Sequence, residues 1–396
     1  MKFNKVGQIA MVSASALVLA SAFTACNPVT IDYVFVAGNK SSPGQIQTLV
    51  ADRVSGALSV VHSTVSSGGV NPVSEATSID LDNLYVANQG DNTIVQFSIS
   101  NDGALTAGKT TTLSAEGNTP VAIAMNGQGT LLYVLSKYQP GCSASSPCGG
   151  ALSVFPVGTD GSLGSSVANG ALNYWPVGVN PTAVAPLADG SAVYAATYDP
   201  KAGNGFLSAF TATSAGVLSS ITTYSAGVKP VGIAPDPTSR FVYVTDFSQN
   251  ELIAYTILNQ GTLVPLINGP FKTGNQPSAI AIDPRGKFIY ITNELDNTVS
   301  AYAIDLATGT PSAAVNTTGS TTNTTGTQPV AVLVDPGFGR FVYSANILDN
   351  SLSGFQLNPS TGTLTLTQGT PYPSVGQPTA LASVPRGNHA IQVNQK

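Results

Sequence analysis

The chain has 396 residues, of which 9% are charged, with 40 glycines, 26 prolines and a formal net charge of −5. Ordinary globular proteins carry ~25% charged residues, so this mix excludes a coiled coil, a long helical bundle and a charged disordered tail. The acidic balance argues against a nucleic-acid partner, while 42% apolar residues are enough to build a core.

The first 25 residues read as a secretory signal. Lys2 and Lys5 precede an apolar stretch from Ile9 to Phe23, too short and too broken by serines to span a membrane. Two processing sites compete. Ala20-Ser21-Ala22 fits an ordinary A-x-A cleavage, and Phe23-Thr24-Ala25-Cys26 resembles a bacterial lipoprotein box in which Cys26 is lipidated. Losing Lys2 and Lys5 would take the charge from −5 to −7. The expected layout is residues 26–31 as a short anchor linker and residues 32–396 as one domain. The place is the bacterial cell envelope, membrane-anchored and facing the periplasm or the surface. A lipid anchor would make the membrane a partner.

Two more cysteines follow, Cys142 and Cys148. A pair in an oxidising compartment reads as a disulfide. Their spacing is not C-x-x-C, and the two histidines, His62 and His389, are too few for a zinc site. No metal and no cofactor are expected.

The chain repeats itself. Pro72–Tyr85, Pro120–Tyr133, Pro181–Tyr194, Pro230–Tyr243 and Pro277–Tyr290 share a thirteen-residue spacing, and Pro329–Tyr343 has one residue more. Six of these prolines follow a glycine by three residues, from Gly69 to Gly326. Counting from Phe35, which holds the tyrosine position upstream, intervals of 50, 48, 61, 49, 47, 53 and 48 residues define seven units. Residues 276–310 show the plan of one. Pro277–Ile282 is a first strand, Asp283–Gly286 a turn, Lys287–Thr292 a second strand and Thr298–Ala303 a third. The fourth strand is clearest at Gly362–Leu366. Four-stranded units at this period are propeller blades. The fold class is therefore all-β, a seven-bladed β-propeller. The chain starts on a second strand (Tyr33–Ala37) and ends on a first strand (Pro378–Ser383) plus another second-strand copy (389–394). One blade must join the two termini, and either second-strand copy could complete it.

Tyr85-Val-Ala-Asn88, Tyr243-Val-Thr-Asp246 and Tyr290-Ile-Thr-Asn293 resemble the YVTN repeat. With G-x-x-P and the turns at Asp236-Pro237, Asp283-Pro284 and Asp335-Pro336, they are similar to seven-bladed propellers of the lactonase family. The resemblance spans residues 32–394 and rests on structural positions. It implies hydrolysis of cyclic esters, 6-phosphogluconolactonase being the familiar activity.

Residues that recur in every blade serve the fold, so function is sought among exceptions. Asn88, Asn293 and Asn346, with Asp91-Asn92, Asp296-Asn297 and Asp349-Asn350 behind them, read as turn-bonding residues rather than ligands. Trp175, Tyr224, Phe271 and Tyr372, each six residues before a repeat proline, are either a sugar platform or fourth-strand packing. Residues 317–327 are low in complexity and read as a mobile loop. No nucleophile elbow, phosphate loop or calcium loop is present. Glu75 stands where other blades hold Ile123, Ile233 and Ile280, which makes it a catalytic candidate, since a lone inner-strand carboxylate has a raised pKa unless paired.

The residues before the repeat prolines are Asn71, Thr119, Asn180, Lys229, Gln276, Gln328 and Gln377. They are expected to circle one mouth of the central channel, extended before proline, as ligand-binding candidates. Lys229 is the one charge among them. All five arginines, Arg53, Arg240, Arg285, Arg340 and Arg386, map to turns on the opposite face. Long loops at Lys137–Gly149 and Thr197–Gly205 mark blades 3 and 4 on the mouth face. The favoured reading is a monomeric envelope propeller binding a glycan, peptide or protein at its axial face; the alternative is a lactonase.

Overall fold

The computed structural model describes residues 30–386. Cys26, the signal segment, His389 and the expected strand 389–394 lie outside the described residues. Seven antiparallel sheets form a ring. Blade 1 joins the two ends of the chain. Pro378–Pro385 is its innermost strand, followed outward by Thr30–Gly38, Gln45–Asp52 and Leu58–Val60. The N-terminal copy thus takes the second-strand place, with Phe35 between Ala382 and Thr48. The first strand begins at Thr30, so the expected linker overlaps it at Thr30 and Ile31. Blades 2 to 7 are continuous stretches. Their innermost strands are Pro72–Thr77, Asn118–Met125, Pro181–Pro186, Pro230–Pro235, Pro277–Ile282 and Pro329–Val334. Each innermost strand touches the next, and Pro378–Pro385 closes onto Pro72–Thr77. Closure leaves the ring no open inner edge.

Second strands such as Phe288–Asn293 are buried along their whole length. Their two faces meet the two neighbouring sheets, so the period-2 alternation of a half-exposed strand is lost. Outer strands break in blades 1, 5, 6 and 7. In blade 6, Pro311–Ala313 and Thr322–Thr324 both pair with Thr298–Ile304. Part of the expected mobile loop is therefore strand, because the third strand still offers unpaired backbone groups there.

The repeat tyrosines stitch blades together. Tyr85, Tyr194, Tyr243, Tyr290 and Tyr343 donate their hydroxyls to the carbonyls of Gly161, Gly261, Gly309, Gly362 and Gly56, at 2.7–3.0 Å. Each glycine lies in the third-to-fourth turn of the next blade. Burial pushes the Tyr85 phenol up to about 12. Replacing Tyr290 with Phe strands the buried Gly362 carbonyl. The expected loss is about 1–3 kcal/mol of unfolding free energy, read from the urea midpoint. An unchanged midpoint would show that the bond contributes nothing net.

Candidate binding site at the axial mouth

The mouth face is built by one device repeated seven times. In every blade the pairing of first and second strands shifts register just after the repeat proline, as between Pro277 and Ala279. Proline has no N–H to lose, so it is tolerated at such a bulge. The skipped residue often carries a hydroxyl that reaches the next blade. Thr182, Ser278 and Thr379 donate to the carbonyls of Pro230, Pro329 and Pro72 at 2.6–2.7 Å.

The residue before the proline departs from expectation. Asn71, Thr119, Asn180, Gln276, Gln328 and Gln377 have φ between 44° and 63°, in the left-handed region and not extended. That geometry costs about 1–2 kcal/mol per non-glycine residue. It persists because the backbone is held on both sides. The amide N–H groups of Thr119, Gln276, Gln328 and Gln377 donate to Asn92, Asn250, Asn297 and Asn350 of the preceding blade at 2.6–2.8 Å. Their own-blade carbonyl partners include Glu294 N–H on Gln276 and Ile347 N–H on Gln328. The preceding Asp91, Asp296 and Asp349 accept the N–H groups of Val70, Asn275 and Thr327. Asn88 and Asn346 are buried and bonded to Ser67, and to Ser351 and Ser353. The recurring Asp and Asn side chains thus hold turns and blade seams.

The side chains of the seven fall into different surroundings. Asn71 accepts from Asn39 Nδ2 at 2.9 Å and donates to Gln89 at 3.0 Å. Asn180 donates to the Tyr198 carbonyl. Gln328 donates to Glu294 Oε1 at 2.7 Å. Lys229 is the distinctive member. Its ammonium lies 3.9 Å from the Phe247 ring centroid and 5.9 Å from that of Tyr198. An ammonium over an aromatic face is attracted by the ring quadrupole and keeps its N–H donors for another partner. Two clefts adjoin its aromatic partners, one through Asp199 next to Tyr198 and the other through Phe247. One, of about 390 Å³, is lined by Tyr138, Cys148, Asn180, Asp199 and Lys201. The other, of about 300 Å³, is lined by Phe247, Asn250, Gln276 and Leu295.

The first cleft lies between the two expected long loops. Cys142 and Cys148 are joined by a disulfide. The loop is shorter than expected, since Leu131–Tyr138 carries its strand two residues further. In blade 4 the expected loop is a hairpin arm: Tyr198 pairs with Gly205 and Asp199 with Asn204.

Sequence reasoning singled out Tyr198 only as part of the blade 4 loop Thr197–Gly205, and missed Phe247 and Glu294. Each lies four residues after its repeat tyrosine, at a position that reads Asn39, Gln89, Lys137, Tyr198, Phe247, Glu294 and Ile347 around the ring. Variation directly after a constant motif was the available signal.

Glu75 is not at the mouth. It sits on the innermost strand of blade 2, opposite Val86, with both carboxylate oxygens buried and without a hydrogen-bond partner. Burial pushes its pKa well above the usual carboxylate range, against a smaller opposing pull from the Ala37 backbone. His62 lies just beyond an outer strand, 3.7 Å from the Asp102 carboxylate, which Ser100 Oγ meets at 2.5 Å. The acid lies between hydroxyl and imidazole, so the three do not form a catalytic relay. Trp175 and Tyr372 are buried in fourth-strand packing, and Trp175 donates to the Leu218 carbonyl. The arginines hold the opposite face, where Arg240 donates to the Leu306 carbonyl and Arg285 to that of Gly339. Among the described residues no three His, Cys, Asp or Glu side chains converge.

A family model described as a lactonase, 7-bladed beta-propeller, matches residues 33–396. A periplasmic gluconolactonase from Pseudomonas aeruginosa superimposes with a TM-score of 0.71 at 20% identity, covering 90% of this chain and 100% of its own. A Bacteroides uniformis protein provisionally named a 6-phosphogluconolactonase gives 0.70 at 19% identity, over 90% and 100%. A Lactobacillus plantarum protein gives 0.69 at 18% identity, over 90% and 99%. At these identities the likeness is one of fold. No curated protein matches the chain.

Proposed function

The chain belongs to the lactonase family of seven-bladed β-propellers, and from that premise we propose that its axial mouth binds a hydroxylated small molecule carrying an acid group, of the sugar-acid class. The observation that carries this reading is Lys229, its ammonium held over Phe247 beside Tyr198, with Phe247 lining one cleft and Asp199, next to Tyr198, lining another. Aromatic faces accept the apolar face of a sugar ring. Amides supply both donors and acceptors for hydroxyls. The ammonium takes the carboxylate. The protein works as a binding module of the cell envelope, exported and tethered through Cys26. The Cys142–Cys148 disulfide supports an oxidising compartment.

The test is calorimetric titration with a panel of aldonates, their lactones and neutral sugars. Lys229→Ala is expected to weaken aldonate binding about 10- to 100-fold, the worth of a charge-assisted hydrogen bond, while the melting temperature stays put. Wild-type affinity in this variant would overturn the site.

A second reading, hydrolysis of the lactone, is favoured by Glu294, a mouth carboxylate oriented by Gln328. Water would attack the ester carbonyl carbon as Glu294 takes its proton; the ring oxygen then leaves and is protonated. Turnover of the panel's lactones that Glu294→Gln abolishes would make this the function. Binding without turnover leaves the binding reading.

A further inference from the structure

The face opposite the mouth is divided by charge. Over blades 5, 6, 7 and 1 its turns expose Arg240, Lys287, Arg340, Arg53 and Arg386. Three exposed apolar side chains lie among them: Val54, Leu258 and Leu306. The acids there are mostly engaged. Asp236, Asp283 and Asp335 are buried and accept turn N–H groups, Asp52 binds its own turn, and Asp305 is exposed. Over blades 2, 3 and 4 the sign reverses, with Asp80, Asp82, Asp102, Asp160 and Asp189 exposed.

The described chain starts on the basic half. Thr30 pairs with Asp52, the residue before Arg53, and Arg386 N–H donates to the Ile31 carbonyl at 2.8 Å. The strand enters between two arginines. From Cys26 to Thr30 are four residue steps, a reach of about 14 Å at most.

We propose that this basic, partly apolar half-face lies on an anionic phospholipid surface. Arg53, Arg240, Lys287, Arg340 and Arg386 meet the headgroups, and Val54, Leu258 and Leu306 sit at the interface. A short tether on the same side puts the contact at high local concentration. Basic residues near such a surface add their attraction and are screened by salt. The mouth on the far face then looks away from the bilayer, open to solutes. The orientation rests on Cys26 being the tether; the charge division does not.

The experiment uses the full secreted chain carrying Cys26→Ser, which has no lipid. It is sedimented with vesicles of pure phosphatidylcholine or of phosphatidylcholine with 40% phosphatidylglycerol. The expected result is at least tenfold greater partition onto the anionic vesicles, lost in 0.5 M NaCl. The triple variant Arg240→Gln, Lys287→Gln, Arg340→Gln should fall to the neutral-vesicle level with its circular dichroism and melting temperature retained. Lys40→Gln with Lys137→Gln, on the mouth face, should bind as the parent does. Should the triple variant unfold, Asp80→Lys with Asp82→Lys serves instead: by extending the basic half it should bind anionic vesicles more tightly. Equal partition onto the two vesicles, or loss in the mouth-face variant alone, would overturn the proposal. Intact mass of the native secreted chain tests the tether separately: an unmodified N-terminus removes the anchor and leaves the vesicle result to judge the face.

Discussion

Replacing Gly309 with alanine is expected to cost about 2–5 kcal/mol of unfolding free energy, among the largest effects of any single methyl in this chain. Gly309 has φ 75°, where a Cβ costs about 1–2 kcal/mol by itself. The added carbon would also lie 2.3 Å from Cδ1 of the Phe241 ring, which is buried. That ring cannot withdraw without leaving its rotamer, a further cost of about 1–3 kcal/mol. The same displacement would disturb the bond from Tyr243 to the Gly309 carbonyl. Gly319 supplies the control. Its φ is 83°, yet a methyl added there would meet nothing within 4 Å, so Gly319→Ala should show the backbone cost alone. Denaturant midpoints of the two variants measure the difference. Equal losses would show that Phe241 yields freely.

Removing Glu75 is expected to work in the other direction. Both its oxygens are buried without partners, and the other blades hold Ile123, Val184, Ile233, Ile280, Val332 and Leu381 in its place. Glu75→Ile should stabilise the fold at neutral pH by about 1–3 kcal/mol, the penalty of an unsatisfied buried polar group. The effect depends on pH. Burial holds the folded carboxyl well above the usual range, so the folded state keeps a proton that the unfolded chain has lost. Stability from this group is therefore full in acid and declines as pH rises from the ordinary carboxylate range toward the raised value. Asp32 behaves alike at the seam of blades 7 and 1. It is fully buried, and desolvation followed by the charge of Asp335 raises it. Melting curves from pH 4 to 8 should slope downward for the parent. The slope should shrink in Glu75→Ile and shrink further when Asp32→Asn is added. A flat parent curve would refute this. A stabilised Glu75→Ile that loses ligand turnover would instead assign Glu75 to chemistry.

The fold was legible because each blade repeats a local pattern. A proline at a bulge, a buried tyrosine strand and a turn-forming aspartate recur at nearly constant spacing, and the strand order along the chain dictates which turns share a face. Blade closure was legible in part. Both termini carry strand sequence, but only pairing energy selects the N-terminal copy, which lies between Ala382 and Thr48 at Phe35.

The mouth was legible as a set of positions and not as a conformation. A proline disfavours the right-handed helical region for the residue before it, and an extended backbone is the ordinary alternative. Here an amide from the preceding blade, some 26–31 residues earlier in sequence for Gln276 and Gln328, captures the N–H and holds the left-handed one. Lys229 likewise stood out as a charge, while its partners Tyr198 and Phe247 come from separate blades.

By itself, then, the sequence determined the number of blades, the three inner strands of the six continuous ones and the face to which each turn belongs, since these follow from period and alternation within some fifty residues. The tertiary structure alone decided what meets across a seam. Hydroxyl to glycine carbonyl and the Lys229 ammonium beside Tyr198 are contacts between blades, and no spacing along one chain encodes the angle at which two sheets pack.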